Sequence, residues 1–531
     1  MEKDSFMQRS AKKLQKSVSS FDPKHMIAFV KRINAICGSR FVMLLASVYF
    51  GIKGVVYYFA YYVELPYYRQ AQLSGPVQEL NSAIATTPWS LKGLVGVVSD
   101  VFPLLGYHKR TYMIISSIVG TAAAISLSFY PIENVRSFPG APAMLLFLIH
   151  FQMSSQDLLC EGKYVEVMKK KPETKNDLVT FVWFCSTVGA IIPSLLVGPI
   201  SDSIGAQYNF FFFIPFCLQP LIFLFGGGMI DDKVPPEESN VIQWDKLRRE
   251  ARPIILAISM ASGAMLLVIV GLFGNLFVNL IVSVVISIIL CGMGYICMPR
   301  LLADCNLYMF LQELLYVNIS GALDYFYTAD ADCVFNGPHF DFTFYRTYTQ
   351  IVALIASILG IFLFQNVMHS WSFRSVFWIT TMLRVVASLF DLVLVRRWNI
   401  AIGIGDKTMY MFGDAIIYNV VYMMNFLPAV ILTSKICPKN LEATVYSILA
   451  GYQNNGQNAA KFIGSYVITA FGIKTINTPT SVCNYSNLYA LVVFCHFFLP
   501  LLTIPLTFVL IPDAKISDEL LHEDPYEAIE D

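Results

Sequence analysis

Apolar residues run along this chain in fourteen separable stretches, grouped six, two and six, with polar segments between them. A stretch of about 20 apolar residues crosses the hydrocarbon core of a bilayer as a helix, because only a backbone with internal hydrogen bonds is tolerated there. The pattern therefore predicts an all-α polytopic membrane protein. The predicted spans are 41–63, 77–98, 111–130, 143–162, 177–200, 208–229, 252–273, 276–298, 307–329, 346–368, 373–395, 410–433, 443–470 and 488–511. The second is the weakest, since it contains Glu79, Asn81 and Lys92.

The two groups of six spans carry the same signals at the same places. A short basic turn follows the second span of each group, at 106–110 and at 369–374. A basic, proline-containing loop joins the fourth span to the fifth in both, and both fifth spans are rich in small residues. Small residues let helices approach closely in lipid. These repeats predict two homologous six-helix halves.

Polar and charged segments mark the remaining boundaries. The predicted parts are a basic cytoplasmic tail at 1–40, a first half at 41–229, a cytoplasmic linker at 230–251, an inserted transmembrane hairpin at 252–298, a second half at 299–511 and an acidic cytoplasmic tail at 512–531. Two six-helix halves around a central cavity are the architecture of major facilitator transporters, in which one half rocks against the other. We therefore expect this fold, with about 14 transmembrane helices, or 12 if the insert is assigned differently. The hairpin is expected to face lipid.

Composition and charge agree with a membrane protein. The chain of 531 residues is 56% hydrophobic and 14% charged, well below the roughly 25% charged residues of a soluble domain. Its formal net charge of +0 gives no basis for nucleic-acid binding. With a cytoplasmic N-terminus most Lys and Arg residues fall on the cytoplasmic side, and both termini are then cytoplasmic. The first 40 residues are basic and lack the apolar core of a signal peptide, so we expect a solvated tail, with an organellar presequence or a surface-binding basic helix as the alternatives. Since no obvious organellar signal is present, the plasma membrane is the default location.

Charged side chains inside membrane spans are costly and mark functional sites. In a bundle of this type the first and fourth spans of each half are expected to line the cavity. The candidate substrate-binding residues are Lys53, Tyr57, Tyr61, Lys92, Gln152, Asp157, Asp324, Asn454 and Lys461. The candidates for carrying a coupled proton are Asp157, Glu161, Glu313 and Asp324. The tyrosines suit either stacking on a planar ligand or core packing, and Glu161 has the cytoplasmic surface as an alternative.

Arg384 and Asp391 lie seven residues apart in the eleventh span. Residues at this spacing share one face of a helix. We expect a buried structural ion pair, with substrate contact as the alternative.

The turn after the second span carries a glycine, an aspartate and two basic residues. Residues 96–100 (Gly-Val-Val-Ser-Asp) lead to Lys109 and Arg110, a pattern similar to the signature turn of major facilitators, from which it departs by the extra residues 101–105. We predict that Asp100, Lys109 and Arg110 form a cytoplasmic gate; an ordinary solvated loop is the alternative.

The eleven cysteines are scattered, without CxxC or Cys/His metal spacing, so no metal and no cofactor are expected. Cys333 and Cys483 fall in predicted outer loops of the same half. They are candidates for a disulfide, with two free thiols as the alternative. Asn484 begins a glycosylation sequon in the same loop.

Several segments together resemble the folate–biopterin transporter family. The most specific is residues 88–94 (PWSLKGL) running into residues 96–100, and Lys53 with Gly54, residues 157–166 and residues 199–205 are also similar. The resemblance implies a major facilitator-type carrier of folates or pteridines, often coupled to protons. Some related members carry other metabolites, including S-adenosylmethionine, so the resemblance does not fix the substrate.

Together with this resemblance, the sequence predicts a secondary active transporter. We expect it to move folate or pteridine substrates by alternating access and to couple this transport to protons. Its expected partners are this small molecule, the lipid bilayer and protons; the oligomeric state is left open. The alternatives are a carrier of S-adenosylmethionine or of a cationic or zwitterionic metabolite, and, more distantly, an integral-membrane enzyme. An enzyme needs a clustered site of His, Cys or carboxylate groups, and none is visible among the seven histidines.

Overall fold

The computed structural model describes residues 23–171, 175–249, 251–436, 442–478, 482–518 and 520. Within these ranges the chain is helical apart from loops and isolated β-bridges such as Leu104–Tyr107. Parts of both predicted tails, at 1–22, 519 and 521–531, lie outside the described residues. The described part of the first tail contains a helix, Pro23–Cys37.

Helical structure occupies each of the fourteen segments predicted to cross the membrane. In chain order these are α1 (Ser39–Gln70), α2 (75–101), α3 (Arg110–Ser128), α4 (Gly140–Lys170), α5 (Lys175–Ser203), α6 (Ala206–Phe225), α7 (Ala251–Phe273), α8 (Leu276–Cys297), α9 (300–327), α10 (Thr343–Met368), α11 (Phe373–Val395), α12 (Asp406–Ile436), α13 (Glu442–Ala470) and α14 (Leu488–Leu510). Short helices lie between them at Ile132–Ser137, Trp244–Arg249 and Trp398–Ala401. We call α1–α6 the first half, α7 and α8 the hairpin, and α9–α14 the second half. The predicted all-helical membrane fold is confirmed.

Eleven of the described helices are long and apolar enough to cross a membrane, whereas α2, α9 and α13 are broken or polar. A 3₁₀ turn at Thr87–Leu91, which contains Pro88, interrupts α2, as expected because proline cannot donate a helical hydrogen bond. Between Leu314 and Ser320, α9 is interrupted, and α13 carries five amide side chains between 453 and 458. These three helices pack against one another where the two halves meet. Their polar groups are tolerable there because they face protein rather than lipid.

Wide π-helical turns interrupt four membrane helices at charged or titratable side chains. They are Ser47–Val56 with Lys53, Thr343–Tyr348 with Arg346, Met411–Tyr418 with Asp414, and Val493–Phe498 with His496. Such turns are rare and occur often at functional sites. They therefore direct attention to the interior of the bundle.

The halves meet along two helix pairs, α2 with α13 and α5 with α10; we call this contact surface the seam. The backbones of α2 and α9 also approach closely across it. A Cβ atom on Gly75 would lie only 1.6 Å from the carbonyl oxygen of Gly321, so glycine alone fits there.

The hairpin covers one edge of the seam. Its helix α7 contacts α2 and α13, and α8 contacts α13 and α9. The Tyr452 hydroxyl of α13 donates to the carbonyl oxygen of Leu290 in α8 at 2.6 Å. Phe273 and Ile288 remain exposed on the outer face. One face of the hairpin is thus available to lipid, while the other packs against both halves.

The predicted linker folds back onto the turn that follows α2. Backbone N–H groups of Val234 and Asn240 donate to carbonyl oxygens in this turn. Asp231 Oδ2 accepts hydrogen bonds from the backbone N–H groups of Lys109 at 2.7 Å and Arg110 at 3.0 Å. A carboxylate is stabilised at a helix N-terminus, here the start of α3. The extra residues 101–105 thus belong to the surface that receives the linker.

Candidate functional site

The two ends of the bundle carry different features. A disulfide between Cys333 and Cys483 joins the loop before α10 to the loop before α14, and we call this the disulfide end. Asn484, the sequon residue, lies beside it and exchanges two backbone hydrogen bonds with Lys474. The opposite end carries the linker, and we call it the linker end.

At the disulfide end, hydrogen bonds hold the two halves together. Arg69 of α1 donates to the hydroxyl of Thr328 at 2.8 Å. Asp202 of α5 accepts from the backbone N–H of Thr343 at 2.7 Å and from its hydroxyl at 2.6 Å, at the first residue of α10. These contacts close the disulfide end.

Glu79 of α2 lies within the seam and is only 1% exposed. Its Oε2 accepts from the Ser320 hydroxyl at 2.7 Å and from the Gly321 N–H at 2.9 Å, where α9 resumes after its break. Its Oε1 is buried without a hydrogen-bond partner. No role is predicted for Glu79 from the sequence. In the structure, Glu79 of the first half binds the residues at which α9 of the second half resumes.

At the linker end a crevice reaches the seam. It is lined by Gly96, Val97, Ser99, Asp100, Lys109, Leu158, Leu159, Gly162 and Ser447. Asp100 Oδ1 lies 3.8 Å from Lys109 Nζ, and the Arg110 guanidinium lies over the ring of Tyr107. Asp231, not Asp100, accepts the hydrogen bonds from the backbone N–H groups at the start of α3. The gate role of the three residues stays a prediction.

Three of the predicted charged residues form one cluster inside the first half. Asp157 of α4 accepts from Lys53 of α1 at 2.8 Å and from Lys92 of α2 at 2.5 Å. Asp157 and Lys92 are nearly buried, while 28% of the Lys53 side chain is exposed. Glu161, one turn further along α4, is an electrostatic neighbour of both lysines. Each lysine is thus already neutralised in part by a carboxylate of the protein.

Aromatic side chains lie beside this cluster. The Trp89 Nε1–H group donates to His150 Nδ1 at 3.0 Å. Tyr57 packs edge-on against both rings, with centroid distances of 5.6 and 6.2 Å, and Tyr61, one turn further along α1, is 55% exposed. The Lys92 ammonium lies 4.8 Å from the centre of the Trp89 ring. Rings in this arrangement suit a planar ligand.

The second half presents a matching aromatic face. Tyr418, Tyr422 and Phe426 of α12 stack along the helix, with centroid distances of 6.5 and 6.0 Å. Tyr422 is an electrostatic neighbour of Tyr57, so the two aromatic groups lie near each other across the two halves. These three residues are not predicted from the sequence, although their spacing of four places them on one helix face.

The amide-rich face of α13 contacts α2 across the seam. Lys461 donates to the hydroxyls of Ser82 at 3.1 Å and Thr86 at 3.2 Å. The side-chain amide of Asn454 donates to the carbonyl oxygen of Trp89 at 3.0 Å. Both predicted residues therefore lie at the seam, close to the aromatic group.

The other two predicted acidic residues have different partners. Glu313 accepts from two glutamine side chains of α13, each at 3.3 Å. Asp324 accepts from Arg346 at 2.9 Å and from the Tyr345 hydroxyl at 2.8 Å. Asp324 is thus ion-paired inside the second half, which leaves it less suited to a substrate than the sequence indicates.

Gln152 does not reach the seam. It is completely buried inside the first half, and its Nε2 donates to the carbonyl oxygen of Cys217 in α6 at 2.8 Å. The sequence places Gln152 in the fourth span but does not show whether the side chain faces the seam or the interior of the first half. The packing of the helices decides this.

The predicted ion pair between Arg384 and Asp391 is wrong. Asp391 accepts from the Tyr327 hydroxyl at 2.5 Å, while the Arg384 guanidinium lies 3.5 Å from the centre of the Tyr316 ring. The helical hydrogen bonds of α11 continue through Ser388. Seven residues span about 10 Å along a helix axis, and each of the two side chains is engaged by a different tyrosine, so sharing a face does not bring them together.

The site holds no set of metal ligands. Across the described ranges, no three or more His, Cys, Asp or Glu side chains are grouped to hold a metal ion. The arrangement of two aromatic faces, cations and amides at a seam between two halves is instead typical of a small-molecule binding site in a transporter.

Comparison with solved structures shows the same fold. A POT family transporter in complex with 5-aminolevulinic acid is 12% identical with a TM-score of 0.62, covering 90% of this chain and 96% of that one. A D-xylose–proton symporter is 14% identical with a TM-score of 0.55, covering 90% and 98%. At such identities the likeness concerns the fold alone, which is that of the major facilitator transporters.

Comparison with sequences identifies the family. The chain is 23% identical over 460 residues to the probable folate-biopterin transporter 6 of Arabidopsis thaliana, covering 86% of this chain and 80% of the relative. It is 23% identical to the folate-biopterin transporter of Synechocystis sp., covering 83% and 76%. It is 21% identical to folate transporter 2 of Plasmodium falciparum, covering 78% and 75%. The model of the BT1 family matches residues 53–527. Because this match spans most of the chain, the protein belongs to the BT1 family of folate–biopterin transporters and is a multi-pass membrane transporter rather than an enzyme.

Proposed function

We propose that the protein carries folate or a related pteridine across the membrane by alternating access, coupled to protons. One observation carries the proposal: the Tyr57–Trp89 group of the first half lies beside the Lys53 cluster and near the Tyr418–Tyr422 group of the second half. A pteridine ring is planar and stacks between aromatic side chains. The names of the relatives supply the substrate class.

Alternating access requires each end of the seam to open in turn. The disulfide end is closed by Glu79, Asp202 and Arg69, while the linker end has a crevice that is lined by residues of both halves. Disulfides persist in oxidising compartments, so we place the disulfide end outside, and the linker and both termini in the cytoplasm. The plasma membrane follows as the location that we propose. The structure then corresponds to a state closed to the outside.

The coupled proton needs a carboxyl group whose protonation breaks no ion pair at contact distance. Protonating Asp157 would leave two ammonium groups without their shared counter-charge, and protonating Asp324 would do the same to Arg346. Glu161 helps to balance the same two ammonium groups. Glu313 instead accepts from two neutral amides, and its cationic neighbour Arg384 lies beyond contact distance. We therefore favour Glu313 among the four predicted candidates.

Uptake into proteoliposomes tests the proposal. Radiolabelled folate and biopterin are offered at about pH 5.5 and at about pH 7.5 outside, with and without a protonophore. We expect saturable uptake that rises at the acidic pH and falls with the protonophore. Glu313→Gln is expected to lose the acid stimulation but keep substrate exchange, while the control Glu133→Gln, in a short loop helix, behaves as wild type.

Failure of the substrate assignment has a clear signature. Protein that is inserted and folded but takes up neither compound contradicts a pteridine carrier. Uptake of S-adenosylmethionine by the same vesicles would replace the substrate and leave the transporter mechanism in place. Equal acid stimulation of wild type and Glu313→Gln contradicts the role of Glu313 alone.

A further inference from the structure

Arg384 differs from the three interior cations that are ion-paired, and from Lys461, which donates to two hydroxyl groups at the seam. Lys53 and Lys92 share the carboxylate of Asp157, and Arg346 is paired with Asp324. In the described part of the chain, Arg384 has no carboxylate within 4.0 Å. It is nevertheless only 7% exposed, and its Nε atom is buried without an acceptor.

The ring of Tyr316 covers the Arg384 guanidinium, whose Cζ atom lies 3.5 Å from the ring centre. His496 stacks on the same tyrosine, with a centroid distance of 4.3 Å and an interplanar angle of 10°. The Tyr316 hydroxyl is 3.1 Å from the Ser388 hydroxyl. These contacts hold the guanidinium beside the Tyr316 ring, and its planar fork of N–H groups matches the geometry of a carboxylate.

The surroundings place this guanidinium near the proposed substrate. Tyr316 lies at the break in α9, between Leu314 and Ser320. The Arg384 side chain lies within hydrogen-bonding reach of the Tyr418 hydroxyl, and Glu313 is an electrostatic neighbour. Tyr422 is an electrostatic neighbour of both Arg384 and Tyr57. The guanidinium therefore lies beside the aromatic group of α12, on the side near Tyr57.

A buried guanidinium without a carboxylate at contact distance is costly, because its desolvated charge is balanced only from further away, here by Glu313. Arginine pairs with a carboxylate through two parallel N–H···O bonds, which lysine cannot reproduce. A ligand carboxylate would supply the missing contact. Folate has two carboxylates at one end and a planar ring at the other, whereas biopterin has the ring with a neutral side chain.

We propose that Arg384 binds the carboxylate tail of the substrate, while the aromatic groups of the two halves hold its planar ring. The binding of the planar ring rests on the proposed pteridine transport, whereas the binding of a carboxylate by Arg384 does not. Arg384 is thereby the residue that distinguishes acidic substrates such as folate from neutral pteridines.

The test compares folate with biopterin on the same variant. Arg384→Gln is expected to raise the half-saturating concentration of folate by about tenfold or more, the effect of losing a charge-assisted bidentate pair, and to leave that of biopterin within about twofold. Arg384→Lys keeps the charge and is expected to show a smaller loss for folate. Arg396→Gln is the matched control, because it makes the same change at an exposed position just after α11.

The ratio of the two substrates separates binding from folding. A misfolded fraction lowers the uptake of both compounds equally and leaves both half-saturating concentrations unchanged. Equal weakening of folate and biopterin, or no weakening of folate, would overturn the proposal.

A third probe keeps this test independent of pteridine transport. Binding of p-aminobenzoylglutamate, which has the carboxylates without the pterin ring, is measured on purified wild type and Arg384→Gln. Binding that depends on Arg384 supports the anion site even if no pteridine is transported. Absence of binding to the wild type, together with folate uptake that is insensitive to Arg384, rejects it.

Discussion

Asp157→Asn is the perturbation whose effect follows most directly from the structure. The wild-type carboxylate sits between two ammonium groups, at 2.8 Å from Lys53 and 2.5 Å from Lys92. The amide keeps the shape of the side chain but removes the negative charge, which leaves two positive charges close together. Removing one partner of a buried ion pair costs about 3–5 kcal/mol. Because 28% of the Lys53 side chain is exposed, this lysine can turn towards water, so we expect about 3 kcal/mol.

A second substitution tests the cause of that loss. Lys92→Met, combined with Asp157→Asn, removes the more deeply buried of the two unpaired charges, since the Lys92 side chain is 10% exposed. The double variant is therefore expected to recover at least about half of the lost stability. As a control, Asp513→Asn affects a carboxylate that is 77% exposed, 3.6 Å from Arg374, and should change stability by less than about 1 kcal/mol.

Equilibrium unfolding in mixed micelles measures these differences. Asp157→Asn and the double variant are compared with wild type in the same titration. A single variant as stable as wild type would refute the claim that Asp157 neutralises buried charge. A double variant no more stable than the single one would refute the electrostatic explanation, and would assign the loss to packing.

Two further predictions concern the disulfide end. Glu79→Ala removes the acceptor for the Ser320 hydroxyl and the Gly321 N–H. A cysteine introduced at the seam should then react several-fold faster with a water-soluble maleimide. An unchanged rate would show that Glu79 does not hold the seam closed. Cys333→Ser removes a disulfide that closes a loop across a sequence separation of 150. The chain-entropy model gives a loss of about 5 kcal/mol in the free energy of unfolding for a loop of this length. Reduction of the wild type should cause a similar loss, and a reduced protein as stable as the oxidised one would contradict this expectation.

Much of the fold is readable from the sequence because the bilayer imposes a simple rule. Apolar stretches of spanning length must become helices there, and helical structure occupies each predicted segment. The same rule identifies buried charges as exceptional, so Lys53, Asp157 and Lys92 are found as candidates, and the structure brings them into one cluster.

The partners of these side chains are decided by the tertiary structure alone. A helical pattern gives the face of a residue but not the partner that the residue meets there. Tyr316 and Tyr327 engage Arg384 and Asp391 separately, and a hydrogen bond to α6 holds Gln152 inside the first half.

Contacts across the seam are a second kind of information that cannot be read from the sequence. Glu79 meets Ser320, and Tyr57 lies near Tyr422, although more than 200 residues separate each pair in the chain. No periodicity within one helix encodes such a pairing, because it depends on how two separately formed halves dock. The pattern of apolar residues shows which segments are suited to the membrane and which polar residues lie within them. The docking of the halves then decides which of those residues neutralise one another. Other residues, such as Arg384, are left without a carboxylate partner.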